Sequence, residues 1–286
     1  MTVNSSKAKP KYRRPLNDEQ LAVLRLLYRF RFGSGRYIAD YLGKNTVKVV
    51  QHKLKILEDQ GFISKRYTKD YKLAGRPAEY YLTPKGARAL MARDDLQAKT
   101  SQRTTAQGIK NLYKNPTVSE NFMQHCLTIL RVAIHLQKLY GDKLQPFSRM
   151  QMLSYNYLPS WRPDLFLSLK TEPDNAPKRY FLDIWDGTRP FFVSVKKARS
   201  YLTYAEADDW PAEQDSPTIL MLCDTPKNET KLRRQIRRAL DEFYEEELLF
   251  ATTTISSFMT TAGPKDKLWR EVSDEDEVWT LTQLGS

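Results

Sequence analysis

Apolar positions in the first ninety residues recur at three- and four-residue intervals, the spacing of helices with one buried face. Leu21, Leu24, Leu27 and Tyr28 share a face behind Asn17-Asp18-Glu19-Gln20, which has the form of a capping box. Gly33-Ser34-Gly35 breaks that helix, and a short second one, RYIADYLG, turns Ile38 and Leu42 inward before stopping at Gly43. A third carries Val47, Val50, Leu54 and Leu57 on one stripe and ends at Gly61. The period then changes. Residues 62–67 alternate apolar with basic, turn residues follow, and AEYYL returns as a second strand. Thr83 is placed to cap a further helix, with Pro84 in its first turn. Three helices, a basic hairpin and a fourth helix predict an N-terminal winged helix-turn-helix over residues 16–93.

Residues 94–120 lose any sustained apolar face and read as a linker. Periodicity resumes with Phe122, Leu127, Leu130, Ile134 and Leu136, apolar around much of a long helix. Such a helix is buried on more than one side, inside its own domain or against a second copy. Beyond it DLFLSL, RYFLDIW, TILMLCD and LLFATTTI read as strands, separated by the helical stretches PFFVSVKKARSYLTYA and NETKLRRQIRRALDEFYEEE. That alternation predicts a C-terminal α/β domain with a mixed central sheet over 121–286, making the chain a two-domain α+β / α/β protein. The last helix holds Arg233, Arg234, Arg237 and Arg238 early and Glu245 to Glu247 late, against the helix dipole. A second nucleic-acid contact and a salt-bridged interface are equally good readings of that cluster.

Charge sharpens this division. The chain carries a formal net charge of +12, and residues 1–93 alone hold 21 Lys+Arg against 7 Asp+Glu. The remainder is slightly acidic, with 25 against 27. A field this concentrated points to a polyanion, most often nucleic acid, although a ribosomal or membrane-surface role would share the asymmetry. No run approaches the ~20 apolar residues of a membrane span. MTVNSSKAKPKYRRP has no apolar core, so residues 1–15 are expected as a disordered basic arm of a cytoplasmic protein. Cys126 and Cys223 sit in apolar segments, far from metal-ligand spacing, and read as buried thiols. His125 and His135 have no Cys or acidic companion at ligand spacing and read as core or edge histidines.

The polar face of the third helix shows Lys48, Gln51, His52 and Lys55, with Lys44, Asn45 and Thr46 ahead of it. Lys neutralises phosphate, while Gln, Asn and His reach base edges in the major groove. The hairpin adds Lys65, Arg66, Lys69, Lys72 and Arg76 for backbone or minor-groove contact. The expected partner is double-stranded DNA. Neutralising roughly six to eight phosphates would give a slope of log K on log salt of about −5 to −7.

Several further motifs lie in order along the chain: GRPAEYYLTPKG, His125-Cys126-Leu127, the RPD that opens a strand at Pro163-Asp164, FLDIWDGT from Phe181, a helix with Lys197 and Tyr201, and LLFATTT. Together they resemble the replication-relaxation proteins of plasmids and other mobile elements. The resemblance implies a role in plasmid replication, DNA relaxation or mobilisation, in some members beside a relaxase. It also implies a second domain similar to the PD-(D/E)xK nuclease fold. Such a centre needs two acids for Mg²⁺ and a Lys two positions after the second, on the same strand face. Asp164 and Asp183 can serve as the acids, but the position after next is Trp185. Asp186 faces the other side of the strand, and only Lys196 or Lys197 could supply the ammonium from the next helix.

The resulting expectation is an accessory protein that binds DNA at an origin, with a degenerate nuclease-like domain and no cofactor. A homodimer through the helix of residues 122–139 would read paired half-sites. A relaxase or coupling protein is a further expected partner. One alternative is a metal-dependent endonuclease or nickase using Asp164, Asp183 and Lys196 or Lys197 with Mg²⁺. The other is a winged-helix transcriptional repressor.

Overall fold

The computed structural model describes residues 15–96, 106–171, 176–207, 210, 216–243, 248–274 and 277–284. The basic arm before residue 15, part of the expected linker and Glu245 to Glu247 lie outside them. The N-terminal elements are α1 (Asp18–Phe30), β1 (Phe32–Ser34), α2 (Gly35–Tyr41), α3 (Val47–Asp59), β2 (Ile63–Arg66), α4 (Lys69–Leu73), β3 (Glu79–Leu82) and α5 (Pro84–Leu96). After these come α6 (Ala106–Leu112), α7 (Glu120–Tyr140), β4 (Leu144–Ser148), α8 (Arg149–Met152), β5 (Leu165–Leu169) and β6 (Lys178–Trp185). The chain continues through α9 (Phe191–Glu206), β7 (Thr218–Cys223), α10 (Pro226–Phe243), β8 (Phe250–Thr254), α11 (Ile255–Thr260) and β9 (Arg270–Glu271).

Local chemistry accounts for the N-terminal boundaries. Asn17 and Gln20 form the reciprocal capping box at the start of α1. Thr83 Oγ1 accepts from Gly86 N at 3.1 Å and donates to the carbonyls of Gly61 and Phe62, tying the start of α5 to the start of β2. That approach demands glycine at 86, because a Cβ there would lie 2.1 Å from the Phe62 carbonyl oxygen. Two features differ from the sequence expectation. The GSG break includes a short strand, β1, which pairs antiparallel with β3 and completes a sheet of order β1-β3-β2. The hairpin turn contains a helix, α4, because Thr68 caps it and Tyr71 is buried beneath it.

The larger sheet has the order β4-β5-β6-β7-β8-β9. Its β6-β7 and β7-β8 pairs are parallel and the others antiparallel. The parallel pairs need helical crossovers, which α9 and α10 supply. Alternation along β6 divides its side chains between two cores. Tyr180, Leu182 and Ile184 join a cluster with α7 and α1, whereas Phe181 and Trp185 join α9 and α10. The first cluster runs without a break from Leu21 and Leu54 through Leu130 to Leu165 and Leu220, so α7 is the shared centre of N-terminal elements and sheet. The apolar faces of α7 pack against the chain's own α1, α2, β1 and β4. Within residues 94–120, α6 buries Ile109 and Leu112.

Among the described residues both cysteines are free and buried, and no helix is long and apolar enough to cross a membrane. The arginines of α10 divide: Arg233 is buried and Arg237 donates to the Val272 carbonyl, while Arg234 and Arg238 are exposed.

Candidate functional site

Two regions collect the charged residues that the sequence singles out. The first is α3. Val50, Leu54 and Leu57 bury its inner face, which leaves Lys48, Gln51, His52 and Lys55 exposed on the outer one. Asn45 and Thr46 are exposed just ahead of its first turn. Lys48 and Lys55 make no ion pair among the described residues. Lys44 and Lys53 differ: both pair with Glu19, at 2.8 and 2.9 Å, and fasten α3 to α1.

The hairpin divides in the same way. Lys69 and Lys72 are exposed and unpaired among the described residues, whereas Lys65 pairs with Glu58 at 3.0 Å. Arg66 donates to the Val118 carbonyl at 2.8 Å, and Arg76 pairs with Glu120 and lies 3.4 Å from Glu79. Glu120 also accepts from the Tyr71 hydroxyl at 2.7 Å and from Gln124 at 3.0 Å. Burial pushes the Glu79 carboxyl up, which Gln124 and Arg76 oppose. Arg66 and Arg76 thus clamp the hairpin onto the first turn of α7.

The second region lies where β5 begins and β6 ends. The register Leu165↔Leu182 makes Asp164 and Asp183 cross-strand neighbours, both buried. Asp164 N donates to Asp183 Oδ1 at 3.2 Å, and Ile184 N donates to Asp164 Oδ2 at 3.0 Å. Lys197 and Tyr201, one turn apart on α9, both reach Asp183: the ammonium lies 3.5 Å from Oδ1 and the phenol donates to Oδ2. Lys196 is exposed, so of the two lysines only Lys197 enters. Lys197 also donates to the Arg162 carbonyl at 2.6 Å.

His125 completes the cluster from α7. Its Nδ1 is 3.0 Å from Asp186 Oδ2, and its Nε2 is 3.3 Å from Asp164 Oδ2 without hydrogen-bond alignment. Burial opposes the imidazolium, but the Asp164 charge and the contacts with both carboxylates push its pKa up to about 9. Asp164 is held well below the usual carboxylate range: burial works against this and the His125 charge overrides it. Burial pushes Asp183 up, opposed by Lys197, and pushes Lys197 down, opposed by Asp183. The sequence reading left His125 without an acidic companion because its partners stand 61 residues and further along the chain. The one local signal is parity: Asp186 lies on the opposite strand face from Asp183, where its Oδ2 meets His125 while its Oδ1 accepts from Thr188. His135 keeps a core-edge role, 2.8 Å from the Thr261 hydroxyl.

Asp164 and Asp183 are already matched by His125 and Lys197, and Trp185 is buried one residue beyond Ile184 with its indole nitrogen unpartnered. No group of three His, Cys, Asp or Glu side chains among the described residues is placed to hold a metal. As placed, the carboxylates bind cations of the protein itself, which ties α7, β5, β6 and α9 together, and Mg²⁺ would have to displace His125 or Lys197.

A basic helical unit with a small antiparallel sheet, joined through α7 to a mixed six-stranded sheet whose end carries a buried Asp–His–Asp–Lys cluster, defines a mixed α+β class. Within it the chain belongs to the replication-relaxation family, whose sequence profile matches residues 24–219. That span contains every residue of both regions except Glu19. No curated protein matches the chain in sequence.

Proposed function

We propose that the protein binds double-stranded DNA as a winged helix, with α3 in the major groove and the β2–β3 hairpin as the wing. The reading places it in plasmid or mobile-element replication or relaxation, as an accessory factor at an origin. The observation that carries it is the outer face of α3, where Lys48, Gln51, His52 and Lys55 are exposed while neighbouring Lys44 and Lys53 are ion-paired. Unpaired cations interleaved with amide and imidazole groups on one helix suit phosphate and base-edge contact.

With Lys65, Arg66 and Arg76 engaged inside the chain, the cations left for phosphate are Lys48, Lys55, Lys69 and Lys72. The slope of log K on log salt is therefore expected near −4, shallower than the raw charge implies. A band shift of supercoiled and linear origin DNA across a salt series tests this. Replacing Lys48 and Lys55 with Ala should flatten the slope by about 2. A slope near zero in the unaltered protein overturns the reading.

The approach of Lys197 to Asp183 favours a second reading, a metal-dependent nickase. Adding Mg²⁺ or Mn²⁺ to the same tubes separates the two: nicking that Asp183→Asn abolishes supports the enzyme, and a shift without nicking supports the accessory factor. Footprinting then separates an origin factor from a repressor by whether the protected site is an origin or a promoter.

A further inference from the structure

Beside the buried cluster lies a cavity of about 290 Å³, walled by α1, α7, α8 and the segments leading into β5 and α9. Five arginines line it (Arg29, Arg31, Arg149, Arg162 and Arg189) against one carboxylate, Asp164. Three of them are consumed by the protein. Arg29 donates to Gln151 and to the Pro146 carbonyl, Arg31 to Asn115 and the Asn111 carbonyl, and Arg162 to the carbonyls of Met152 and Ser160. The other two retain donors. Arg149 bonds through Nη2 alone, to the carbonyls of Trp161 and Arg162. Arg189 makes no hydrogen bond to a described residue; its guanidinium stops 4.0 Å from Asp164 and 5.9 Å from the centre of the Trp185 ring.

Further observations mark this cavity as a binding site. His125, almost wholly buried, lines it beside Asp164, its Nε2 3.3 Å from that carboxylate. Among the described residues the only non-glycine positions with positive φ are Arg31 at 69° and Arg162 at 37°, and both are in its wall. Strained backbone of this kind gathers where a fold holds ligand-facing groups in place. Burial first, and then the charge of Arg149, hold Arg162 below its ordinary range.

The shape selects the anion. The volume sits at the lower edge of small-ligand pockets, roughly 300–1,000 Å³, and excludes a duplex. Phe30, Phe122, Met150 and Leu153 give the cavity an apolar wall beside the arginines, so a bare phosphate would leave apolar surface uncovered. We propose that this cavity binds a nucleoside monophosphate, with the phosphate on Arg149 and Arg189 and the nucleoside against the apolar wall. Arginine forks match phosphate geometry, and apolar and aromatic side chains accept a base without regard to sequence. The same chemistry is offered by a free nucleotide and by the terminal nucleotide of a DNA strand. The inference does not depend on duplex binding by α3.

Calorimetric titration of the full chain tests it, using dAMP, inorganic phosphate, deoxyadenosine and a single-stranded hexanucleotide with or without a 5′-phosphate. Binding of dAMP should exceed that of phosphate, and deoxyadenosine should give no signal. Arg189→Gln, which removes no internal hydrogen bond, should weaken dAMP at least about ten-fold, and Arg149→Gln should do the same. Tighter binding of the 5′-phosphorylated hexanucleotide than of dAMP identifies a strand end as the ligand; the reverse order identifies a free nucleotide. Lys48→Ala with Lys55→Ala should leave the dAMP affinity unchanged, so the failure of duplex binding and of this site are read separately. No dAMP or phosphorylated-strand binding by the unaltered protein, or affinities unmoved in both arginine variants, would overturn the proposal.

Discussion

The outer face of α3 and the cluster at the end of β6 are built from similar residues and do opposite things with them. On α3 the charges stand in water without partners, so they cost the fold little and remain available to another molecule. At the sheet end each charge is out of water and matched inside the chain: His125 to Asp164 and Asp186, Lys197 to Asp183. Residue type alone therefore does not mark a site. What distinguishes the two is whether the tertiary structure has already supplied the counter-charge.

The largest effect should come from unbalancing the buried cluster. Asp183→Ala leaves Lys197 buried without its carboxylate, and the loss is expected at about 3–5 kcal/mol, read by urea unfolding. Pairing it with Lys197→Met should recover most of that loss, because an apolar pair of similar volume avoids desolvating two charges. Failure of the double variant to recover would assign the loss to the Asp164 N–H and the Tyr201 hydroxyl, which lose Asp183 as their acceptor.

A second, smaller effect is set by pH. His125 has a folded pKa of about 9, above its unfolded value near 6.5. Its contribution is thus fully present below pH ~6.5 and lost as pH rises through about 9, on the order of 3 kcal/mol. Asp164, held low in the folded state, keeps its share at neutral pH and loses it only in strong acid. Unfolding free energy measured from pH 6 to 10 should decline, and His125→Gln should flatten the decline. An unchanged profile would remove His125 from the cluster's energetics.

The smallest effect sharpens the comparison from the hairpin side. Arg76 belongs to the basic hairpin by sequence but is paired with Glu120 in the fold. Arg76→Ala should cost less than about 1 kcal/mol, as a partly exposed pair does, and leave the salt slope of DNA binding unchanged. A slope reduced by about 1 would return Arg76 to the set of phosphate contacts.

Features governed by a few neighbouring residues were readable along the chain. The capping box at Asn17, the cap at Thr83, the buried stripe of α3 and the alternation of β6 all follow from local hydrogen bonding and from periods of 3.6 and 2. So did the concentration of positive charge before residue 94, which is a sum and needs no fold. Pairing across distance was not readable. The meeting of His125 with Asp186, the turning of Arg66 and Arg76 toward α7, the selection of Lys197 over Lys196 and the enclosure of α7 each depend on which elements lie against each other. Sequence by itself determined where the capped and strongly periodic elements begin and which charges the chain carries, because backbone geometry and side-chain chemistry are local. Only the tertiary structure decided which of those charges are spent, because a counter-charge exists for a side chain only once packing has brought it within a few ångströms.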